Sequence, residues 1–201
     1  MAPGLSDLIP GLREAEDSYR QANAEAFAGV EPDICGMVRI LPLTPQMFIE
    51  LDGAGNAFFA KAGTAISPAD VAIFLWRVSP FFTREDVALR RLHTANSGIL
   101  PYDRAVDEIT AYIRRSWAGM PLWKRKAGGE GGMGQWPARL VHMFASEYGW
   151  TEEYILNLPF RRLWQYANRV LEEHDPKFRE QSAEVMRLRQ EWLIRANSGS
   201  N

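Results

Sequence analysis

At Thr44-Pro45 and at Ser67-Pro68 a hydroxyl side chain directly precedes a proline and, after it, an apolar-periodic run. Each pair is a helix start. The hydroxyl oxygen accepts an otherwise orphaned amide of the first turn, and a proline at the first helical position lacks an N–H that would have had no partner anyway. At the second pair, Asp70 adds an acid against the positive end of the helix dipole. The run VAIFLWRV that follows is apolar nearly all round, which predicts a central, buried helix. Further starts stand at Thr83, with Asp86 at the capping-box position, at Pro101 with Asp103, and at Thr151 with Glu152 and Glu153. Matching stops stand at Gly29 with Pro32, at Pro80, and at Gly149.

Between these signals apolar residues recur at helical spacing. Leu8, Leu12, Ala15, Tyr19, Ala22 and Ala26 form one stripe, with Asp7 placed to cap and Pro10 tolerable in the first turn. The clearest stripe is Ala105, Val106, Ile109, Tyr112, Ile113 and Trp117. Residues 30–43 read as an irregular connector with a short extended piece at Met37 to Leu41, and Thr44 opens a short helix through Leu51. A glycine-punctuated loop follows, in which Phe58 and Phe59 are expected to tuck inward. Later helices are expected over Trp136 to Tyr148, Thr151 to Asn157, Pro159 to Glu173 and Pro176 to Ala196. Gly128, Gly129, Gly131, Gly132 and Gly134 cannot hold a helix cheaply, since each costs about 1 kcal/mol relative to alanine. The fold expected is mostly α, an irregular multi-helix bundle of about seven to eight helices with a Gly-rich loop between two helical halves. The divisions are an N-terminal helix in 1–30, a first half in 31–119, a flexible loop in 120–135, a second half in 136–196 and a disordered tail in 197–201.

Composition narrows the function classes. Hydrophobic residues make up 46% and charged residues 24%, the ordinary globular range. The formal net charge of −2 supplies no global pull toward nucleic acid or an anionic membrane, so any basic patch must be local. The N-terminus lacks a basic region followed by a long apolar run, and no window reaches the roughly 18 apolar residues of a membrane span. A soluble intracellular protein is expected. The single cysteine, Cys35, excludes an internal disulfide framework and a multi-cysteine zinc site.

No catalytic constellation stands out. His93, His142 and His174 have no histidine partner three or four residues on, the spacing that a helical metal site shows. His93 is expected on a polar helix face and His174 in a C-terminal turn, where its charge is mildly favoured. Acidic pairs such as Asp107-Glu108 and Glu172-Glu173 each have a capping, dipole or solvation role. Gly129 to Gly134 fits the letters of the dinucleotide fingerprint, but a basic tract, Lys124-Arg125-Lys126 beside Trp123, precedes it where a strand is required. The reading is a linker. No cofactor and no metal are expected, and the chain reads as non-enzymatic.

The stretch SEYGWTEEYILNLPFRRLWQY, residues 146–166, packs a glycine stop, the Thr151 cap and a restart at Pro159, read as the first position of the next helix. Trp150 is placed to staple onto Ile155. The restarted helix carries an apolar stripe of Phe160, Leu163, Trp164, Ala167, Val170 and Leu171. Its opposite face carries Arg161, Arg162, Gln165, Asn168 and Arg169. A helix-turn-helix protein shows a similar outline, with such a face reading base edges. Against that, the 151–157 helix is short and broken by Pro159, and the acidic balance gives little long-range attraction to DNA.

The run Val38-Arg39-Ile40-Leu41-Pro42-Leu43-Thr44, the short helix and glycine loop after it, SPADVAIFLWRVSPFF, and the aromatic stretch Tyr148-Gly149-Trp150-Thr151-Glu152-Glu153-Tyr154-Ile155-Leu156-Asn157-Leu158-Pro159 together resemble a group of bacteriophage and prophage proteins of the tail-assembly chaperone type. The resemblance covers roughly residues 37–173 and omits the first helix and the glycine run. It implies a small helical protein without chemistry of its own, acting in the cytoplasm of the bacterial host. Such a protein holds the aggregation-prone tape-measure protein and helps recruit tail-tube subunits, through apolar helical surfaces. The contact residues expected are exposed members of Trp123, Trp136, Trp150, Tyr154, Trp164 and Trp192, with Arg161, Arg162 and Arg169 at a rim, because interfaces enrich aromatic anchors and arginine. The alternatives are a helical nucleic-acid-binding protein using Lys124, Arg125, Lys126 and the 161–169 face, and a structural virion component such as a head–tail connector. No membrane partner is expected.

Overall fold

The computed structural model describes residues 8–28, 32–118, 120, 136–175 and 183–198. Among them are nine α-helices and one two-stranded sheet. Helix α1 spans Leu12–Ala28, and strands β1 (Asp33–Ile34) and β2 (Val38–Arg39) pair antiparallel with Asp33 opposite Arg39. Then come α2 (Pro45–Gly53), α3 (Pro68–Arg77), α4 (Val87–Ser97), α5 (Tyr102–Trp117), α6 (Trp136–Tyr148), α7 (Glu152–Asn157), α8 (Phe160–His174) and α9 (Ala183–Ser198). The Asp7 cap, Trp123, the basic tract, the glycine run, Pro176 and the last three residues lie outside the described residues.

The capping signals hold at α2, α3 and α7. Thr44 accepts the Met47 amide at 3.2 Å, and Thr151 accepts that of Tyr154 at 3.2 Å. At α3 the box is complete, because the Ser67 hydroxyl accepts the Asp70 amide while the Asp70 carboxylate accepts the Ser67 amide at 2.9 Å. Asp70 also accepts the Ala57 amide at 3.0 Å, and the buried Asn56 donates to the Asp70 carbonyl at 2.9 Å. These bonds tie the glycine-punctuated loop down onto α3. A 3₁₀ turn at Ala57–Phe59 then lays Phe58 and Phe59 against Phe74, with ring centroids 5.3 and 6.2 Å away.

Burial by itself would raise the Asp70 carboxyl pKa, but the hydrogen bonds from Ser67 and Ala57 outweigh it and hold the group below the usual carboxylate value. A carboxyl held lower in the folded state than in the unfolded one stabilises the fold at neutral pH, and that contribution is lost as the pH falls through its folded value. Asp70→Asn is therefore expected to cost on the order of 1–3 kcal/mol at neutral pH. Its difference from the native protein should start to shrink below about pH 4, where the unfolded chain's carboxyl takes up a proton, and go on shrinking as the pH falls through the lower folded value. Urea midpoints measured across pH test this, and a difference that stays constant into acid would exclude it.

Three local expectations are corrected. The cap of α4 is Asp86, whose carboxylate accepts the Leu89 amide at 2.8 Å, while Thr83 accepts the Glu85 and Asp86 amides in the turn before it. Pro159 sits at the N-cap with extended ψ 137°, so α8 begins at Phe160. In the first stripe Leu8 is half exposed, and Ile9 is buried in its place.

The core is one cluster contributed by residues on both sides of the 120–135 segment. Ile34, Ile40, Leu43, Leu51, Phe74, Leu75 and Ile109 meet Leu140, Phe144, Ile155, Phe160 and Leu163. The Phe48 ring touches those of Trp117, Trp136 and Phe160, with centroids 5.4, 5.5 and 6.1 Å apart, and the Phe160 amide donates to the Leu43 carbonyl at 2.9 Å. A second, small cluster joins α1 to α9 through Ile9, Leu12 and Val185, flanked by Trp192. Arg189 reaches Glu16 at 3.1 Å across the same contact. Helix α1 also packs along α8. No helix among the described residues is long and apolar enough to cross a membrane.

Candidate protein-interaction surface

Gly149 ends α6 with φ +67°, a conformation that side chains with a Cβ rarely adopt, and its amide donates to the Ala145 carbonyl at 3.0 Å. That left-handed turn reverses the chain so that the residues flanking it lie face to face. The Tyr148 and Trp150 rings stack with centroids 4.7 Å and planes 22° apart. Trp150 also stacks on the fully buried Phe144 at 5.6 Å, which roots the pair in the core. Tyr154, one turn into α7, meets the Trp150 ring edge-on at 5.2 Å, and Tyr166 of α8 meets it at 5.0 Å. Phe27, near the end of α1, extends the row by packing on Tyr166 at 6.0 Å. The Arg162 guanidinium lies over Phe27 at 5.5 Å.

The result is a continuous aromatic surface drawn from α1, the α6–α7 turn, α7 and α8. Tyr154 is 52% exposed, Phe27 47% and Tyr148 38%. Large contiguous apolar patches on a protein surface commonly mark a binding site. Burial raises the Tyr148 hydroxyl pKa, and Glu173 and Glu147 add to the effect, so carboxylates stand beside the aromatics. Glu147 pairs with His174 at 3.0 Å and Glu173 with Arg169 at 3.2 Å. The surface thus has an aromatic centre and a rim of mixed charge.

Of the residues expected to make partner contacts, Trp150, Tyr154 and Arg162 come together here, with Arg169 at the rim. Trp164 does not belong to this surface. It is 4% exposed and stacks between Phe160 at 5.3 Å and Trp117 at 5.7 Å, as its place in the apolar stripe of α8 requires. Trp136 packs into the same core and Trp192 against the α1–α9 cluster. Trp123 lies outside the described residues. Tyr148, Tyr166 and Phe27 are the contributors that sequence reasoning misses. Tyr166 carries a signal, three residues after Leu163 and four before Val170, at the edge of the stripe. Phe27 carries none, because a different helix decides its neighbours.

The polar face of α8 is also not what its pattern implies. Helix α1 lies on it: Arg161 donates to Asn23 Oδ1 at 3.3 Å, Gln165 to the Asn23 carbonyl at 3.4 Å, and Arg162 to the Phe27 carbonyl at 2.8 Å. Asn168 is 3% exposed. Of that face Arg169 stays exposed, beside Glu172 and Glu173.

His93 is half-buried beside Trp76 at 5.4 Å, a correction to its expected polar setting, and burial lowers its pKa. Cys35 is buried, its thiol pKa raised first by burial, and its amide donates to Glu108 at 2.6 Å. Among the described residues no three histidine, cysteine or acidic side chains gather as metal ligands would.

No protein-family model, curated protein or solved structure matches the chain.

Proposed function

We propose that this chain is a non-enzymatic, tail-assembly chaperone-like protein of phage origin that binds other tail proteins, tape-measure or tail-tube, in the host cytoplasm. The observation that carries the reading is the aromatic surface at Phe27, Tyr148, Trp150, Tyr154 and Tyr166. Three of these five residues lie in the Tyr148–Pro159 stretch on which the resemblance rests. An apolar strip rimmed by Arg162, Arg169, Glu147 and Glu173 suits one face of an amphipathic helix, and a long helix-rich tail protein offers many such faces. Binding of this kind uses shape and apolar area and requires no reactive group.

The test is co-expression of the full chain with the proteins encoded beside it, followed by affinity capture and mass spectrometry. The expected result is recovery of a helix-rich tail protein in stoichiometric amount. Recovery of no neighbour, or the presence of the chain in finished virions at fixed copy number, would overturn the chaperone reading, the second in favour of a structural component.

A further inference from the structure

The rim of the aromatic surface carries both signs of charge, but not in equal number. Glu147 lies in the last turn of α6, Glu152 and Glu153 open α7 beside Tyr154, and Glu172 and Glu173 lie in the last turn of α8. Against these five carboxylates the described residues of the surface set two guanidinium groups, Arg162 and Arg169. Arg169 bridges Glu172 at 3.4 Å and Glu173 at 3.2 Å, so one cation answers two anions. Arg162 is engaged within the fold, donating to the Phe27 carbonyl at 2.8 Å while lying over its ring. The excess is three negative charges with His174 neutral, and two with it protonated against Glu147. The whole chain nets only −2, so the acidic excess is concentrated at this patch.

The backbone adds to it. The C-terminal ends of α6 and α8 meet here, as the 3.0 Å contact between Glu147 and His174 shows, and the end of a helix carries roughly half a negative charge in its last turn. The exposed rings of Tyr148 and Tyr154 present π faces, which attract cations in their own right. Arg162 over Phe27 shows that arrangement already in use at one end of the row.

We propose that the helix this surface accepts is a basic one, with an apolar anchor seated on Tyr148 and Tyr154 and with lysine or arginine side chains about one turn away reaching toward Glu147, Glu153 and Glu173. Charge complementarity selects it. A carboxylate on the facing helix would stand against uncompensated carboxylates and two helix C-termini, which weakens binding and slows encounter. Lysine and arginine can also lay their apolar stems along the tyrosine rings while their charged heads reach the rim. The inference rests on the aromatic surface being the docking site, and it narrows the partner from any amphipathic helix to one with positively charged flanks.

The experiment titrates the full chain into trace amounts of three end-labelled amphipathic peptides, read by fluorescence anisotropy. All three repeat leucine at helical spacing; the remaining positions are lysine in the first, glutamine in the second and glutamate in the third. In about 50 mM salt the lysine peptide should bind with a dissociation constant on the order of 10 μM, about tenfold tighter than the glutamine peptide, the scale of two or three exposed ion pairs. The glutamate peptide should bind more weakly still. In about 500 mM salt, where exposed charges are screened, the lysine and glutamine peptides should come within about threefold of each other. Tyr154→Ala should weaken the lysine peptide about tenfold or more. The double variant Glu152→Gln/Glu153→Gln, at exposed positions, should keep the native circular dichroism spectrum, weaken the lysine peptide several-fold and leave the glutamine peptide unchanged. If all three peptides bind alike and Tyr154→Ala weakens each, the surface remains the docking site and the charge assignment is overturned. If binding of the lysine peptide ignores Tyr154→Ala, its seat is elsewhere and the proposal falls. Binding by none of the peptides overturns it too, while capture of a neighbour on co-expression decides the chaperone reading separately.

Discussion

Trp164→Ala is expected to lower the unfolding free energy by about 3–5 kcal/mol, the range for removing a large aromatic from a packed interior. The indole is 4% exposed and lies within a run of near-parallel rings, with planes 20° from Phe160 and 27° from Trp117. Its loss opens a void beside Phe160 and Trp117. A second substitution separates ring packing from polarity. The indole Nε1–H is buried without an acceptor, so the native protein already bears a desolvation cost of about 1–3 kcal/mol there. Trp164→Phe removes that orphan along with part of the ring, and should be far less damaging than alanine. Urea unfolding followed by circular dichroism measures both. A native-like midpoint for Trp164→Ala would mean that this residue is not the core element described.

Tyr154→Ala is the complementary change, leaving stability within about 1 kcal/mol of native while weakening partner capture by roughly 30-fold or more. The side chain is 52% exposed and closes no cavity; its edge-on contact with Trp150 is what it gives the monomer. An aromatic at the centre of an interface is the kind of residue whose truncation exceeds about 2 kcal/mol. Trp150→Ala would confound the two effects, because Trp150 also rests on buried Phe144. Quantitative capture of the co-expressed partner, whichever neighbour is recovered, by native and Tyr154→Ala chains is the measurement. Equal capture would remove this surface from the binding site.

What could be read in advance follows the range of the forces involved. The caps at Thr44, Ser67 and Thr151 depend on residues two or three positions away, and so they are legible. So are the stripes of α5 and α8, which place Ile109, Tyr112 and Leu163 in the interior by spacing alone. Thr83 and Asp86 are both competent caps, and the choice between them rests on where the preceding turn directs the chain. Arg161, Gln165 and Asn168 look like a solvated face because nothing near them in sequence covers them. Their cover comes from Asn23 and Phe27, far back along the chain. The aromatic surface fails to be legible for the same reason. Its geometry requires Gly149 to fold Tyr148 onto Trp150, and then requires α1 to deliver Phe27.

Because Phe48 is enclosed by Trp117 on one side of the 120–135 segment and by Trp136 and Phe160 on the other, the two lengths of polypeptide are complements, not modules. Severing the backbone between them would yield a nicked molecule whose fragments remain clasped and melt in one step. Either fragment produced alone would present half of an aromatic interior to water and seek its counterpart or aggregate.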